Sequence, residues 1–153
     1  MTFLANGTYR ACGCTLDDIK ELYALEQQCF KKKDQFSKDN FRYLIKRGKG
    51  HFWSCRKEGD SRIMGYFYLT NRGRLYSICS RIPGQGAGSF MMDVVEQLCE
   101  KMNVQLHLEV SEFNTEAIRF YKKRGLEEYS LAEAYYSRDV DAILMRKPIK
   151  ESV

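Results

Sequence analysis

The sequence predicts a single domain over residues 1–153, of mixed α/β or α+β class, with helices packed on a sheet. Three patterns lead there. Strand-like runs joined by tight turns occupy the middle of the chain. A glycine-rich loop, Pro83 to Gly88, then leads into a helix with apolar residues at helical spacing. Last comes a strictly alternating run, Val104 to Val110, as expected of a half-buried strand.

Each element has a local reason. Thr8 to Gly13 reads as a short strand. Thr15 is a helix N-cap with Asp18 as its capping partner. Ile19, Leu22, Tyr23, Cys29 and Phe30 recur at helical spacing, which predicts a helix over 16–30, and Lys31 to Lys33 complement its dipole at the far end. Ser37 opens a second helix bearing Phe41, Leu44 and Ile45, and Gly48 ends it. His51 to Lys57 and Ile63 to Thr70 flank Glu58-Gly59-Asp60 as a hairpin. Asn71-Arg72-Gly73 turns the chain into Leu75 to Ser80. Met91, Val94, Val95, Leu98 and Met102 mark the next helix. Asn114 opens another helix, with Ala117, Ile118 and Tyr121, and Gly125 closes it. Leu126 to Tyr136 and Asp141 to Arg146 are the final strands.

Composition narrows the function classes. Apolar residues make up 44% and charged residues 29%, which argues against disorder. A net charge of +5 is too small to imply nucleic acid by itself. The N-terminus lacks a basic region followed by an apolar run, so no signal peptide is expected. No apolar run is long enough to span a membrane. The expectation is a cytoplasmic protein whose six cysteines, 12, 14, 29, 55, 79 and 99, are free thiols. Cys12 and Cys14 on one strand point to opposite faces, and His51 and His107 match no ligand spacing, so no metal is expected.

The loop Gly84-Gln85-Gly86-Ala87-Gly88 is an anion site by its chemistry. Glycines let a phosphate approach the backbone, and the N–H groups at a helix start point toward it. A P-loop is excluded because no lysine follows Gly88. A dinucleotide fingerprint stays open as an alternative, with Gly84, Gly86 and Ser89 at its spacing and Glu109 23 residues beyond Gly86. So does a plain glycine turn. The antiparallel meander before the loop favours a cofactor whose pyrophosphate sits on the loop while its thiol arm follows the preceding strand.

The residues Leu108-Glu109-Val110, Asn114, Ala117-Ile118, Phe120-Tyr121 and Gly125 resemble the strand–helix segment of the GNAT N-acetyltransferases, within them the ribosomal-protein-alanine (RimI-like) group. The glycine loop is similar to that family's acetyl-CoA motif. Leu25-Glu26, Cys29-Phe30, Ala134-Tyr135-Tyr136 and Asp141 to Met145 extend the resemblance over nearly the whole chain. Pairing Gly86 with Gly88 places Met91 and Met92 at the family's paired aliphatics and Pro83 at its Arg/Gln position. Pairing Gly84 with Gly86 would put Arg81 there.

The resemblance implies a central mixed, mostly antiparallel sheet with helices on both faces, and acetyl-CoA as the cofactor. It implies acetyl transfer to a primary amine, with a protein N-terminal α-amine as the first expectation. A small-molecule amine such as a polyamine or aminoglycoside is the alternative, and a non-catalytic acyl-CoA-binding module the second. The protein would act as a monomer or homodimer, without membrane or direct nucleic-acid partners. Tyr121 is implied as general acid, since a phenol with pKa about 10 stays protonated at neutral pH. Glu109 is implied as base through a water, and a backbone N–H near Cys79 as oxyanion donor. Ile78, Cys79 and Ser80 would line the thiol arm. Gly84, Gln85, Gly86, Ala87, Gly88 and Ser89 would hold the pyrophosphate, with Asn114, Ala117 and Phe120 beside the cofactor. Glu26, Tyr135 and Tyr136 are expected on the acceptor side.

Overall fold

A computed structural model describes residues 2–29, 37–137 and 140–149, with the side chains of residues 2, 3 and 130–141 outside that set. The chain runs β1 (Thr2–Ala5), β2 (Tyr9–Gly13), a 3-10 turn (Leu16–Asp18), α1 (Ile19–Cys29), α2 (Lys38–Arg47), β3 (Gly50–Lys57), β4 (Ile63–Thr70) and β5 (Leu75–Ser80). It continues through α3 (Ala87–Met102), β6 (His107–Ser111), α4 (Thr115–Lys123), β7 (Glu127–Ser137) and β8 (Val140–Arg146). The Phe30 end of the first helix and Lys31 to Lys33 lie outside the described residues.

The sheet has two antiparallel arms. One has the order β1-β2-β3-β4-β5, the other β6-β8-β7. They join through a single parallel bridge, Arg74 with His107, where the His107 N–H donates to the Gly73 carbonyl at 3.0 Å. The predicted α+β architecture is thus present, mixed only at this junction among the described residues.

Helices cover both faces, and β4 shows why. Its successive side chains point to opposite sides. Phe67 and Leu69 join Ala11, Met91, Val94, Val95 and Leu98 in the core beneath α3. Tyr66 and Tyr68 join Leu22, Leu25, Phe41 and Phe52 beneath α1 and α2. Burying each such large side chain contributes about 1.5–3 kcal/mol, which holds amphipathic helices this short against the sheet.

Local capping sets the helix ends. The Ser37 hydroxyl accepts from the Asn40 N–H at 3.1 Å, while Asn40 Oδ1 accepts from the Ser37 N–H at 2.9 Å. The Thr15 N–H donates to Asp18 at 2.9 Å, yet the turn it opens is a 3-10 turn before α1 proper.

Three expectations need correction. β1 lies ahead of the first strand expected. β6 begins at His107 rather than Val104. Asn103 adopts a left-handed φ of 56° and the Val104 N–H closes back on the Cys99 carbonyl, so the residues after α3 serve its cap first. The cysteines are not all free. Packing of α1 on β5 brings the Cys29 and Cys79 Cα atoms to 6.3 Å, within disulfide reach, and the two are bonded. Cys12, Cys14, Cys55 and Cys99 remain thiols.

Candidate active site

β5 and β6 touch at one end and are not paired beyond it. The pinch is built on Gly73, which is buried with φ +91°. A Cβ there would collide with the Gln105 carbonyl, so only glycine allows this approach. Past the pinch, β5 pairs with β4 and β6 with β8. Each strand therefore turns an unladdered edge toward the gap.

The backbone direction along β5 identifies which groups face that gap. The Arg81 N–H donates to the Met64 carbonyl at 2.6 Å, and the Cys79 carbonyl is directed at Gly65. Backbone groups alternate in direction along a strand, so those of Ile78 and Ser80 project from the edge away from β4. Here the structure corrects the expectation for Cys79. Its side chain is buried against α1 and bonded to Cys29, so it does not line the gap. The backbone N–H groups left facing the gap beside Cys79 are those of Ile78 and Ser80.

The glycine loop follows directly. Gly86 is the N-cap of α3 with φ +86°, and Gly84 has φ +83°. The left-handed Gly86 starts the first turn of α3 at an exposed position. The N–H groups of Ala87, Gly88 and Ser89 have no acceptor within the helix, as at every helix start, while the Phe90 N–H already donates to the Gly86 carbonyl at 3.0 Å. Gly84, Gln85, Gly86 and Ser89 are exposed and Ala87 is buried beneath them. A Cβ built on Gly84 meets no atom within 4 Å, so the loop surface is open, and an anion such as a CoA pyrophosphate could reach the exposed N–H groups there.

Tyr9 is a residue that sequence reasoning missed. Its hydroxyl donates to the Gln85 carbonyl at 2.6 Å, and its ring stacks on Phe90 with centroids 5.8 Å apart. It pins the loop from β2. No local pattern announces a contact between residues 76 positions apart.

α4 brings its residues to the same end. Phe120 Cζ lies 3.8 Å from the Cβ position of Gly88, so α4 abuts the start of α3. Tyr121 is only 8% exposed and shares the core cluster of Ala87, Phe90, Leu108 and Val110. Ala117 packs against that cluster, and its N–H donates to Asn114 Oδ1 at 3.3 Å. Asn114 thus serves as the cap of α4.

Glu109 sits on the opposite face of β6 from Leu108 and Val110. Its Oε2 accepts from Arg74 Nη2 at 2.6 Å, and the Arg74 guanidinium lies 4.9 Å over the Tyr76 ring. Arg74 was not anticipated as its partner. The pair fixes the carboxylate beside the pinch.

Glu26 is 1% exposed on the inner face of α1. Tyr135 and Tyr136 lie on β7, and their side chains fall outside the described residues. Arg81 is anchored away from the loop, donating from Nε to the Ile63 carbonyl at 2.9 Å and pairing with Glu21. Among the described residues, no three His, Cys, Asp or Glu side chains are placed to hold a metal ion.

Solved structures of known proteins share this fold. No curated protein sequence matches the chain significantly. Solved structures match over nearly the full length. The ribosomal-protein-S18-alanine N-acetyltransferase from Escherichia coli superposes with a TM-score of 0.78 at 20% identity, covering 95% of this chain and 96% of that one. Arabidopsis thaliana Naa50, in complex with the bisubstrate analogue CoA-Ac-MVNAL, gives 0.76 at 19% identity, covering 93% and 99%. Nourseothricin acetyltransferase gives 0.71 at 18% identity, covering 92% and 98%. At such identities the likeness establishes the fold. The profile of the acetyltransferase (GNAT) family matches residues 17–126, which include the β5 edge, the glycine loop, Glu109 and Tyr121, and the chain therefore belongs to the GNAT acetyltransferase family.

Proposed function

We propose that this acetyltransferase transfers an acetyl group from acetyl-CoA to a protein N-terminal α-amine. The observation that carries the cofactor half is the open edge of β5 leading into the left-handed Gly86 at the start of α3. The acceptor half is supported by likeness to the E. coli ribosomal-protein-alanine enzyme and to Naa50 with its peptide-bearing analogue.

Acetyl-CoA, when bound, supplies the activated acyl thioester. The chain's own residues do the rest. Ala87, Gly88 and Ser89 present N–H donors to phosphate oxygens, and Phe120 closes the side of the cradle. The Ile78 or Ser80 N–H donates to negative charge developing on the acyl oxygen, from a strand held rigid by β4. Glu109, steadied by Arg74, takes the amine's proton through a water. The task is modest, because a terminal amine has a pKa of about 7.7–8.0. Tyr121, enclosed in the core, gives its phenolic proton to the departing thiolate.

The test is a screen with isotope-labelled acetyl-CoA. Peptides with free N-termini are compared with the same peptides blocked at the N-terminus, with polyamines and with aminoglycosides. Label on the free α-amine alone is the expected result. Label on aminoglycosides or polyamines instead would favour a small-molecule acceptor, the reading that likeness to nourseothricin acetyltransferase supports.

A further inference from the structure

α2 carries Lys38, Arg42 and Lys46 at four-residue intervals, all exposed. That spacing stacks them on one helix face, about 6 Å apart along the axis. They border a groove of about 340 Å³ whose other wall is the start of α1, with Lys20. Ile19 and Leu16 supply its apolar floor, and Leu16 is left 45% exposed. The Lys38 ammonium is held 5.2 Å over the Tyr23 ring, which fixes one cation at the rim. Asp17 is the acid in the groove lining, and nearby Asp39 is already paired with Arg42 at 2.6 Å. The groove shares no residue with the β5–β6 gap or the glycine loop.

We propose that this groove docks an acidic helical segment of a partner protein. The charge pattern is complementary in spacing as well as sign. Glutamates at every fourth position of a helix recur at the interval of Lys38, Arg42 and Lys46, of which Lys38 and Lys46 flank the Arg42–Asp39 pair and meet the outer two carboxylates. The floor favours protein over nucleic acid. An aliphatic side chain beside the glutamates would cover exposed Leu16, whereas a phosphate backbone would leave it facing charge.

Fluorescence anisotropy tests this with the full chain and a labelled helical peptide bearing glutamate at every fourth position and leucines alongside. Binding that weakens with added salt is expected. Reversing Lys38→Glu with Lys46→Glu should weaken it at least ~10-fold, and neutralising both to Gln by a smaller factor. Leu16→Ser should weaken it independently. Circular dichroism and acetyl transfer should stay at wild-type levels in each. No binding, variants that bind like wild type, or equal binding by leucine-free polyglutamate or an RNA duplex would each overturn the proposal.

Discussion

In the proposed mechanism Tyr121 and Glu109 divide the proton work, and their surroundings differ accordingly. Tyr121 lies among apolar neighbours on α4, whereas Glu109 is half-buried on β6 beside a guanidinium. Tyr121→Phe removes only the hydroxyl from a packed site. It should lower kcat by about 100-fold or more while CoA affinity is retained, as read from steady-state rates beside calorimetry. Unchanged turnover would remove Tyr121 from the chemistry. Glu109→Gln should slow transfer most at the acid end of the pH profile, where the amine is mostly charged. A profile parallel to wild type would place the base elsewhere. The thiols make a separate prediction. Burial pushes Cys55 up to about 12 and Cys99 up to about 11, from an ordinary 9.0. The unfolded chain therefore releases these protons first as pH rises. Stability measured by urea unfolding should decline above pH 9, and both thiols should resist alkylation in the native protein.

At the scale of elements, the loop and α3 form one unit, and two neighbouring glycines in it are not equivalent. Gly86 needs its left-handed φ, so Gly86→Ala should cost about 1–2 kcal/mol. Gly88 has no positive φ, and a Cβ there meets Phe120 at an ordinary 3.8 Å. Gly88→Ala should be neutral or stabilising by about 0.5 kcal/mol in thermal unfolding. Equal losses at both positions would contradict the assignment of the turn.

Much of this level was legible in the sequence because its causes are local. Ser37 and Gly48 bound α2, and the alternation of Leu108 and Val110 marks the buried face of β6. β1 was not legible, since four residues at an edge carry too little pattern to separate from a terminus. Val104 continues the alternation of β6 in sequence, but it lies in a segment that instead caps α3.

For the whole molecule, the features that escaped the sequence are those that join distant positions. Tyr9 reaches Gln85, Arg74 meets Glu109, and Cys29 bonds Cys79, each through packing of separate elements. The glycine loop and the Glu109–Tyr121 segment were legible as motifs. Their supports were not, because periodicity carries no information on which strand lies beside which loop. The disulfide has a global consequence. It closes a loop with a sequence separation of 50, for which chain entropy alone gives about 4 kcal/mol. Reductant should therefore lower the urea midpoint of the wild type and leave that of Cys29→Ser unmoved. Identical midpoints for wild type with and without reductant would mean that the bond contributes nothing to stability.

The proposed cofactor site lies where the free edge of β5 meets Gly86 and the start of α3. Calorimetric titration of CoA into wild type and Gly86→Val, with circular dichroism to show that both are folded, examines it directly. One CoA per chain for wild type and none for Gly86→Val is the predicted result. Tight binding by a folded Gly86→Val would contradict the assignment of this loop as the cofactor site.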